Sequence, residues 1–159
     1  MTTPLPEVSD SPTVRQAVRA DLLAVYQIER ASFPQPWPYS AFERFLGEPG
    51  FLVAAADTDE SDPSVVGFVV ADAVPNHGQP IGHVKDLAVH PEFRGRGVGK
   101  SLFERGLGVL EANGVASVKL EVRASNERAR SLYRQFDFAH VRTIPNYYDD
   151  GENAHVLRR

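Results

Sequence analysis

The sequence predicts a single domain of mixed α and β structure, and three observations support this prediction. Stretches in which apolar and polar residues alternate, as in strands, are interspersed with stretches that carry apolar residues at helical spacing. These stretches follow one another in the order β-α-α-β-β-β-α-β-α-β-β. The 159 residues suit one domain with a buried core, and no internal repeat divides them.

The first half of the chain predicts helices and strands separated by proline-rich or acidic connections. Asp21 places an acidic side chain in the first turn of the first helix, where its negative charge interacts favourably with the helix dipole. Three prolines in segment 33–38 exclude a regular helix and predict a stiff loop, and Gly47 ends the second helix. Residues 1–12, with three prolines, are expected to form a disordered tail, and the acidic segment 57–63 a hairpin loop. The predicted elements are strand 14–18, helix 20–31, helix 40–46 and strands 51–56, 65–74 and 81–89.

The second half of the chain continues with alternating helices and strands. A stripe of apolar residues from Val98 to Leu110 indicates a helix, which Asn113 and Gly114 end. The remaining predicted elements are an alternating, half-buried strand at 117–123, a helix capped by Ser125 or Asn126 that runs to about residue 136, and strands at 139–143 and 154–157.

Composition restricts the classes of function. The chain has no cysteine, which excludes disulfides, thiolate nucleophiles and cysteine metal sites. It shows no basic region followed by an apolar stretch at its start and no apolar run of about 20 residues, so we expect a cytoplasmic protein without a membrane partner. The net charge of −4 divides unevenly, because residues 94–134 carry a net +5 and the rest a net −9. The acidic remainder disfavours nucleic acid, whereas the basic segment can attract a small anion or form a solvated helix face.

A glycine-rich loop between a strand and a helix is the first candidate site. In Arg94-Gly-Arg-Gly-Val-Gly-Lys100, three glycines in five positions let the backbone approach a ligand closely and point several N–H groups the same way. The helix N-terminus and the basic side chains add positive charge, which suits a diphosphate. A simple turn rich in glycine is the alternative.

Two other phosphate-binding patterns fit this loop poorly. The segment from Gly95 to Ser101 is one residue shorter than the P-loop of nucleotide triphosphatases, and no later apolar strand ends in a magnesium-binding aspartate. The third glycine also comes one position too early for a dinucleotide-binding loop. Neither pattern predicts the ligand.

The pattern Arg94-x-x-Gly97-x-Gly99 resembles the coenzyme A pyrophosphate loop of the GNAT acetyltransferase superfamily, and segment 82–91 resembles its central strand. The resemblance implies a mixed sheet with helices on both faces, splayed at the fourth strand to admit acetyl-CoA, whose pantetheine pairs with that strand. The residues expected to bind the coenzyme are Leu87, Ala88, Val89, Arg94, Gly95, Arg96, Gly97, Val98, Gly99, Lys100, Asn126 and Tyr133.

The segment from Leu120 to Asn126, followed by Tyr133, resembles the ribosomal-protein alanine N-acetyltransferase (RimI) branch and the catalytic subunits of protein N-terminal acetyltransferases. The resemblance implies that Glu121 is the general base and Tyr133 the general acid. The chemistry agrees, because an amine must lose a proton to attack a thioester and the leaving thiolate benefits from gaining one. We expect Glu121 to have a modestly raised pKa and to act through water, and a backbone N–H near Leu87 or Val89 to stabilise the oxyanion.

The acceptor site is predicted from two loops. The segment 145–152 resembles the Tyr-Tyr-x-x-Gly-Glu/Asp loop that helps to form the peptide slot of N-terminal acetyltransferases, and segment 33–39 corresponds to the opposite wall. Tyr147 and Tyr148 can instead form a packed hairpin pair. The residues expected to contact the acceptor are Glu29, Trp37, Tyr39, Tyr147 and Tyr148.

The sequence thus predicts direct transfer of the acetyl group from acetyl-CoA to the N-terminal amine of a protein, without a metal. A ribosomal protein is one possible acceptor. The five histidines form no i,i+3 or i,i+4 pair that would suit zinc. A lysine or small-amine acetyltransferase of the same fold, and a non-catalytic acyl-CoA-binding module, are the alternatives.

Overall fold

A computed structural model describes residues 12–56 and 64–159. The predicted hairpin loop 57–63 and, apart from residue 12, the predicted tail lie outside these residues. The elements are β1 (Thr13–Gln16), α1 (Leu22–Ser32), α2 (Tyr39–Glu43), β2 (Phe51–Ala56), β3 (Ser64–Val74), β4 (Ile81–Val89), α3 (Val98–Ala112), β5 (Val118–Arg123), α4 (Glu127–Gln135), β6 (Ala139–Ile144) and β7 (Ala154–Arg158). The predicted order of helices and strands is confirmed.

The boundaries differ from the predictions mainly at the amino-terminal elements. The turn of 3₁₀ helix at Arg19–Asp21 precedes α1, so the α-helix begins at Leu22 rather than near residue 20. Helix α2 ends at Glu43 and not at residue 46. It begins at Tyr39, directly after Pro38, whose backbone is extended and marks the end of the preceding loop. Helix ends are set by such local contacts, which hydrophobic spacing does not encode.

The strands form one sheet in the order β1-β2-β3-β4-β5-β7-β6. Among the described strands, β4 and β5 are the parallel pair, and every other neighbouring pair is antiparallel. Helix α3 connects the parallel strands, as a crossover between parallel strands requires. The fold is therefore the mixed sheet that the sequence predicts.

Hydrophobic cores lie on both faces of the sheet. On one face, Leu102 and Phe103 of α3 are fully buried against strand residues, and Tyr133 of α4 joins them. On the other face, Val25 of α1 and Phe42 of α2 pack in a second core. The predicted coverage by helices on both faces is confirmed.

Strands β4 and β5 separate part-way along their length. Their pairing ends at Val84 and Leu120, whereas β4 remains paired with β3 on its other side as far as Val89. The carboxyl half of β4 therefore has a free backbone edge that faces a gap in the sheet. This gap is the predicted splay at the fourth strand.

None of the helices in residues 12–56 and 64–159 combines the length and the hydropathy that a bilayer-spanning segment requires.

Replacing Leu102 with alanine should destabilise the domain, because its side chain is completely buried between α3 and the sheet. We expect the free energy of unfolding to fall by about 2–5 kcal/mol, the usual cost of a large-to-small change in a core. Leu23→Ala is the matched control, since Leu23 is 60% exposed on α1, and should change it by less than about 0.5 kcal/mol. Urea unfolding followed by circular dichroism measures both, and equal losses would contradict the described packing.

Candidate active site

A cavity of about 810 Å³ opens where β4 and β5 separate. Its walls come from α1, the carboxyl half of β4, the glycine loop, β5 and α4. This volume lies within the range that buries most of a small-molecule ligand. The cavity brings together residues from widely separated parts of the chain.

The free edge of β4 supplies backbone groups to this cavity. The N–H of His90 donates to the carbonyl of Val66 on β3 at 2.8 Å, so by the alternation of antiparallel pairing the N–H groups of Leu87 and Val89 point the other way, toward the gap. The N–H of Leu87 donates to Oδ1 of Asp86 at 2.9 Å. The N–H groups of Leu87 and Val89 were the two backbone donors expected to stabilise the oxyanion. Because the N–H of Leu87 already has a side-chain acceptor, Val89 is the better candidate for this role.

The glycine loop provides the polar end of the cavity. Gly95 and Gly97 have φ angles of 79° and 83°, in the left-handed region that disfavours any side chain. Gly97 caps α3 without any side-chain hydrogen bond to the first turn, so the backbone N–H groups there remain available to an anion. Arg94 and Lys100 line the cavity beside them.

Two basic residues of the loop have specific positions. Arg94 donates from Nε to the carbonyl of Val89 at 3.0 Å and from Nη2 to Oγ of Ser32 at 3.1 Å, which ties the loop to β4 and α1. Arg96 does not line the cavity; its guanidinium lies over the ring of Phe93, 5.2 Å from the centroid. Arg96 was expected to contact the coenzyme, but in this structure it is not among the residues that line the cavity.

Glu121 lies on β5 with its carboxylate in the cavity wall. Its Oε2 is 2.6 Å from Nε2 of His83, and its Oε1 is 3.6 Å from Nζ of Lys119. The hydrogen bond with His83 lowers the pKa of Glu121, although partial burial acts in the opposite direction. The expectation of a raised pKa for Glu121 is wrong, because it did not anticipate the contact with His83 on the adjacent strand.

Tyr133 enters the cavity wall from α4 and is buried, with its ring 4.9 Å from that of Phe103. Burial, followed by the negative charge near Asp86, raises its pKa well above the usual value. The phenol therefore keeps its proton at neutral pH, as a general acid must. Asn126 also lines the cavity, and its Oδ1 caps α4 by accepting the N–H of Ala129 at 3.1 Å, as predicted for this residue.

The acceptor side of the cavity contains some of the predicted residues. Glu29, Trp37 and Tyr148 line it, whereas Tyr39 packs edge to face against Tyr26. Tyr147 is 48% exposed and lies edge to face with Tyr148, with centroids 5.0 Å apart. These tyrosines thus form the packed pair, and Tyr148 alone of the two faces the cavity.

The two acceptor loops are joined to each other and to β5. The N–H of Asp149 donates to Oε1 of Gln35 at 3.2 Å, which connects the two loops. The guanidinium of Arg123 lies 4.1 Å from the centroid of the Tyr148 ring and binds Glu152 at 2.9 Å. Arg123 on β5 therefore holds segment 145–152 in place. Burial is the main reason that the pKa of Tyr148 is raised, to about 12.

The sequence did not single out two residues that the structure places at the site. His83 was not among the predicted site residues, and its contact with Glu121 depends on the parallel pairing of β4 with β5. Asp86 lines the cavity. Its signal in the sequence was a carboxylate directly before the apolar end of the strand, Leu87–Val89.

Comparison with known proteins agrees with this geometry. The acetyltransferase (GNAT) family matches residues 22–138. The chain belongs to the GNAT acetyltransferase family. It is an acetyl-CoA-dependent N-acetyltransferase, and the coenzyme-binding fold that the sequence resembles is thereby confirmed.

Relatives of this GNAT acetyltransferase include named enzymes. It is 32% identical over 154 residues to an N-alpha-acetyltransferase of Sulfolobus acidocaldarius, covering 91% of this chain and 89% of the relative. It is 30% identical over 148 residues to the ribosomal protein bS18 alanine N-acetyltransferase of Escherichia coli (strain K12), covering 91% and 95%. The crystal structure of Ard1 from Thermoplasma volcanium superposes with a TM-score of 0.83 at 28% identity, covering 94% and 97%.

A side chain at Gly97 should weaken coenzyme A binding, because the positive φ of this residue orients the first turn of α3. We expect Gly97→Ala to raise the dissociation constant for coenzyme A by about tenfold, the equivalent of the roughly 1–2 kcal/mol cost of left-handed backbone for alanine. Isothermal titration calorimetry measures the change.

Gly108→Ala is the matched control for this substitution. A Cβ added at Gly108 would also meet open space, yet this residue lies inside α3 and has no positive φ. Alanine there should leave binding unchanged and stabilise the helix by about 0.5–1 kcal/mol. Equal affinity of both variants would show that the loop conformation does not control binding.

Proposed function

We propose that this acetyltransferase transfers acetyl from acetyl-CoA directly to the α-amine of a protein or peptide N-terminus. One arrangement carries the proposal. Glu121 and Tyr133 line the same cavity as the free edge of β4, and the wall formed by Glu29, Trp37 and Tyr148 lies in that cavity as well. A coenzyme and an acceptor can therefore meet beside a carboxylate and a protonated phenol.

The polar end of the cavity fits the coenzyme. The uncapped first turn of α3 offers N–H groups, and Arg94 and Lys100 offer positive charge to a pyrophosphate. The free edge of β4 offers backbone donors and acceptors to an extended chain such as pantetheine. Bound there, acetyl-CoA supplies an activated thioester.

The chain's own residues then divide the proton transfers. Glu121 accepts a proton from the acceptor ammonium, directly or through a water molecule, and the adjacent His83 can share it because the two side chains are hydrogen-bonded. The N–H of Val89 is directed toward the gap, where it can stabilise a developing oxyanion. Tyr133 keeps its proton until it donates it to the leaving thiolate.

Acid–base arithmetic favours an α-amine as the acceptor. With a pKa near 7.8, about a tenth of free N-termini are neutral at pH 7, compared with about 0.04% of lysine side chains. The pKa of Glu121 is lowered, so this carboxylate is a weak base. The lower pKa of an α-amine therefore favours a chain N-terminus over a lysine side chain as the acceptor.

The two joined loops form the wall against which a chain terminus would lie. The names of the relatives from Sulfolobus acidocaldarius and Escherichia coli, an N-alpha-acetyltransferase and a ribosomal protein bS18 alanine N-acetyltransferase, agree with an α-amine acceptor. A ribosomal protein is one acceptor of this class. The cytoplasmic location expected from the sequence stays a prediction.

Peptides with free N-termini should be acetylated, and the same peptides with a blocked N-terminus should not. Each peptide carries one internal lysine, so the blocked form also tests the side-chain amine. Mass spectrometry after incubation with acetyl-CoA locates the acetyl group. Equal turnover of both forms would place the enzyme among lysine or small-amine acetyltransferases instead.

Glu121→Gln and Tyr133→Phe should each lower kcat by about 10²–10⁴, because each removes a proton-transfer group without changing its shape. Coenzyme A affinity should change less than about threefold in Glu121→Gln, since Glu121 lies outside the glycine loop and is not among the predicted coenzyme contacts. Thiol release and calorimetry measure the two quantities. Unchanged turnover in both variants would contradict the proton-transfer roles of Glu121 and Tyr133. Absence of turnover in the unmodified protein would favour a non-catalytic acyl-CoA-binding module.

A further inference from the structure

A pair of buried carboxyl groups lies on the acceptor side of the cavity. Glu29 of α1 is only 2% exposed, and its Oε1 accepts the N–H of Trp37 at 3.4 Å. Asp86 of β4 accepts the N–H of Leu87 through Oδ1. Both side chains line the cavity, and each is within hydrogen-bonding reach of the other.

One oxygen of each carboxyl group lacks a donor. Oε2 of Glu29 and Oδ2 of Asp86 are buried, and neither accepts a hydrogen bond from any N–H or hydroxyl group within residues 12–56 and 64–159. Two ionised carboxylates cannot hydrogen-bond to each other, whereas a carboxyl group that keeps its proton can donate to a carboxylate. A proton held between the two side chains would satisfy both buried oxygens.

Among the described residues, no cation pairs with either carboxyl group. The salt bridges of segments 12–56 and 64–159 involve neither Glu29 nor Asp86. Lys85, the neighbour of Asp86 on β4, is paired with Asp72 on β3 at 3.0 Å. The other titratable or charged residues that line the cavity form no salt bridge with Glu29 or Asp86. Besides Lys85, they are Arg94, Lys100, Glu121, Arg123, Arg128, Tyr133 and Tyr148.

The electrostatics agree with a shared proton. Burial raises the pKa of Asp86 well above its usual value, and the adjacent Glu29 raises it further. Burial also raises the pKa of Glu29, while the hydrogen bond with Asp86 acts in the opposite direction. The pair therefore holds one proton between Asp86 and Glu29 and carries a single negative charge.

We propose that Asp86 positions Glu29 through a shared proton, and that the pair, with a single negative charge, binds the α-ammonium of the acceptor. This proposal rests on the proposed function. Asp86 acts as a positioning residue, because it holds the Glu29 carboxylate in one orientation beside Trp37. The pair also lies close to Tyr133, so the bound amine is held near the site of proton donation.

Kinetics of four variants test the positioning role. Asp86→Ala removes the donor to Glu29, and Glu29→Gln removes the charge, so each should raise KM for the peptide by about tenfold while KM for acetyl-CoA changes less than about twofold. Asp86→Asn should restore the peptide KM to within about threefold, because its amide can still donate to Glu29. Glu111→Ala on α3 is the control for loss of a carboxyl group outside the cavity lining, and it should leave both KM values unchanged.

Titration of the carboxyl carbons by NMR tests the shared proton without using activity. One of the two carboxyl groups should remain protonated at neutral pH, and Asp86→Asn should remove that signal. A raised pKa in the folded state means that the stability Asp86 contributes is fully present below its unfolded pKa and is lost as pH rises through the folded pKa. The melting temperature of Asp86→Asn relative to the unmodified protein should therefore be higher at pH 7 than at pH 4.

Several results would overturn the proposal. These are ordinary pKa values for both carboxyl groups, a folded Asp86→Asn variant as impaired as Asp86→Ala, or an effect on acetyl-CoA KM in place of peptide KM. A protein that acetylates no peptide would overturn the proposed function instead, and the carboxyl titration would still decide whether the proton is shared.

Discussion

The site depends on the point at which β4 and β5 stop pairing. Parallel strands exchange hydrogen bonds at regular intervals, so their separation after Val84 and Leu120 leaves backbone donors and acceptors of β4 without strand partners. Because β4 stays paired with β3 on its other side, this edge remains held in the sheet. A ligand that runs along it gains hydrogen bonds without any rearrangement of the sheet, and the side chains of β5 and α4 are held at a fixed distance across the gap.

The cavity has two electrostatic halves, and each half has a separate structural origin. The uncapped N-terminus of α3 and the adjacent basic residues give one half its positive character, which suits phosphates. Glu29, Asp86 and Glu121 give the other half its acidic character, which suits an ammonium group.

The general base and the general acid have opposite environments. Glu121 is hydrogen-bonded to His83, which keeps the carboxylate ionised and ready to accept a proton, although it makes the carboxylate a weaker base. Tyr133 is buried, and this burial raises the pKa of the phenol and keeps it protonated. Such a separation of protonation states lets one residue accept and the other donate at the same pH. Asp86 connects this chemistry to the acceptor side, because it lies close to both Glu29 and Tyr133.

The sequence by itself determined the order of elements, the glycine loop and the positions of Glu121 and Tyr133, because periodicity and short motifs are local properties of the chain. It also suggested Glu29, Trp37 and Tyr148. Tertiary structure alone decided that His83 meets Glu121, that Asp86 meets Glu29, and that Arg96 and Tyr39 are not among the residues lining the cavity. These contacts join residues that are distant in the chain, and strand register and helix placement set them. The pKa of Glu121 was predicted in the wrong direction for the same reason, since its partner lies 38 positions earlier in the chain.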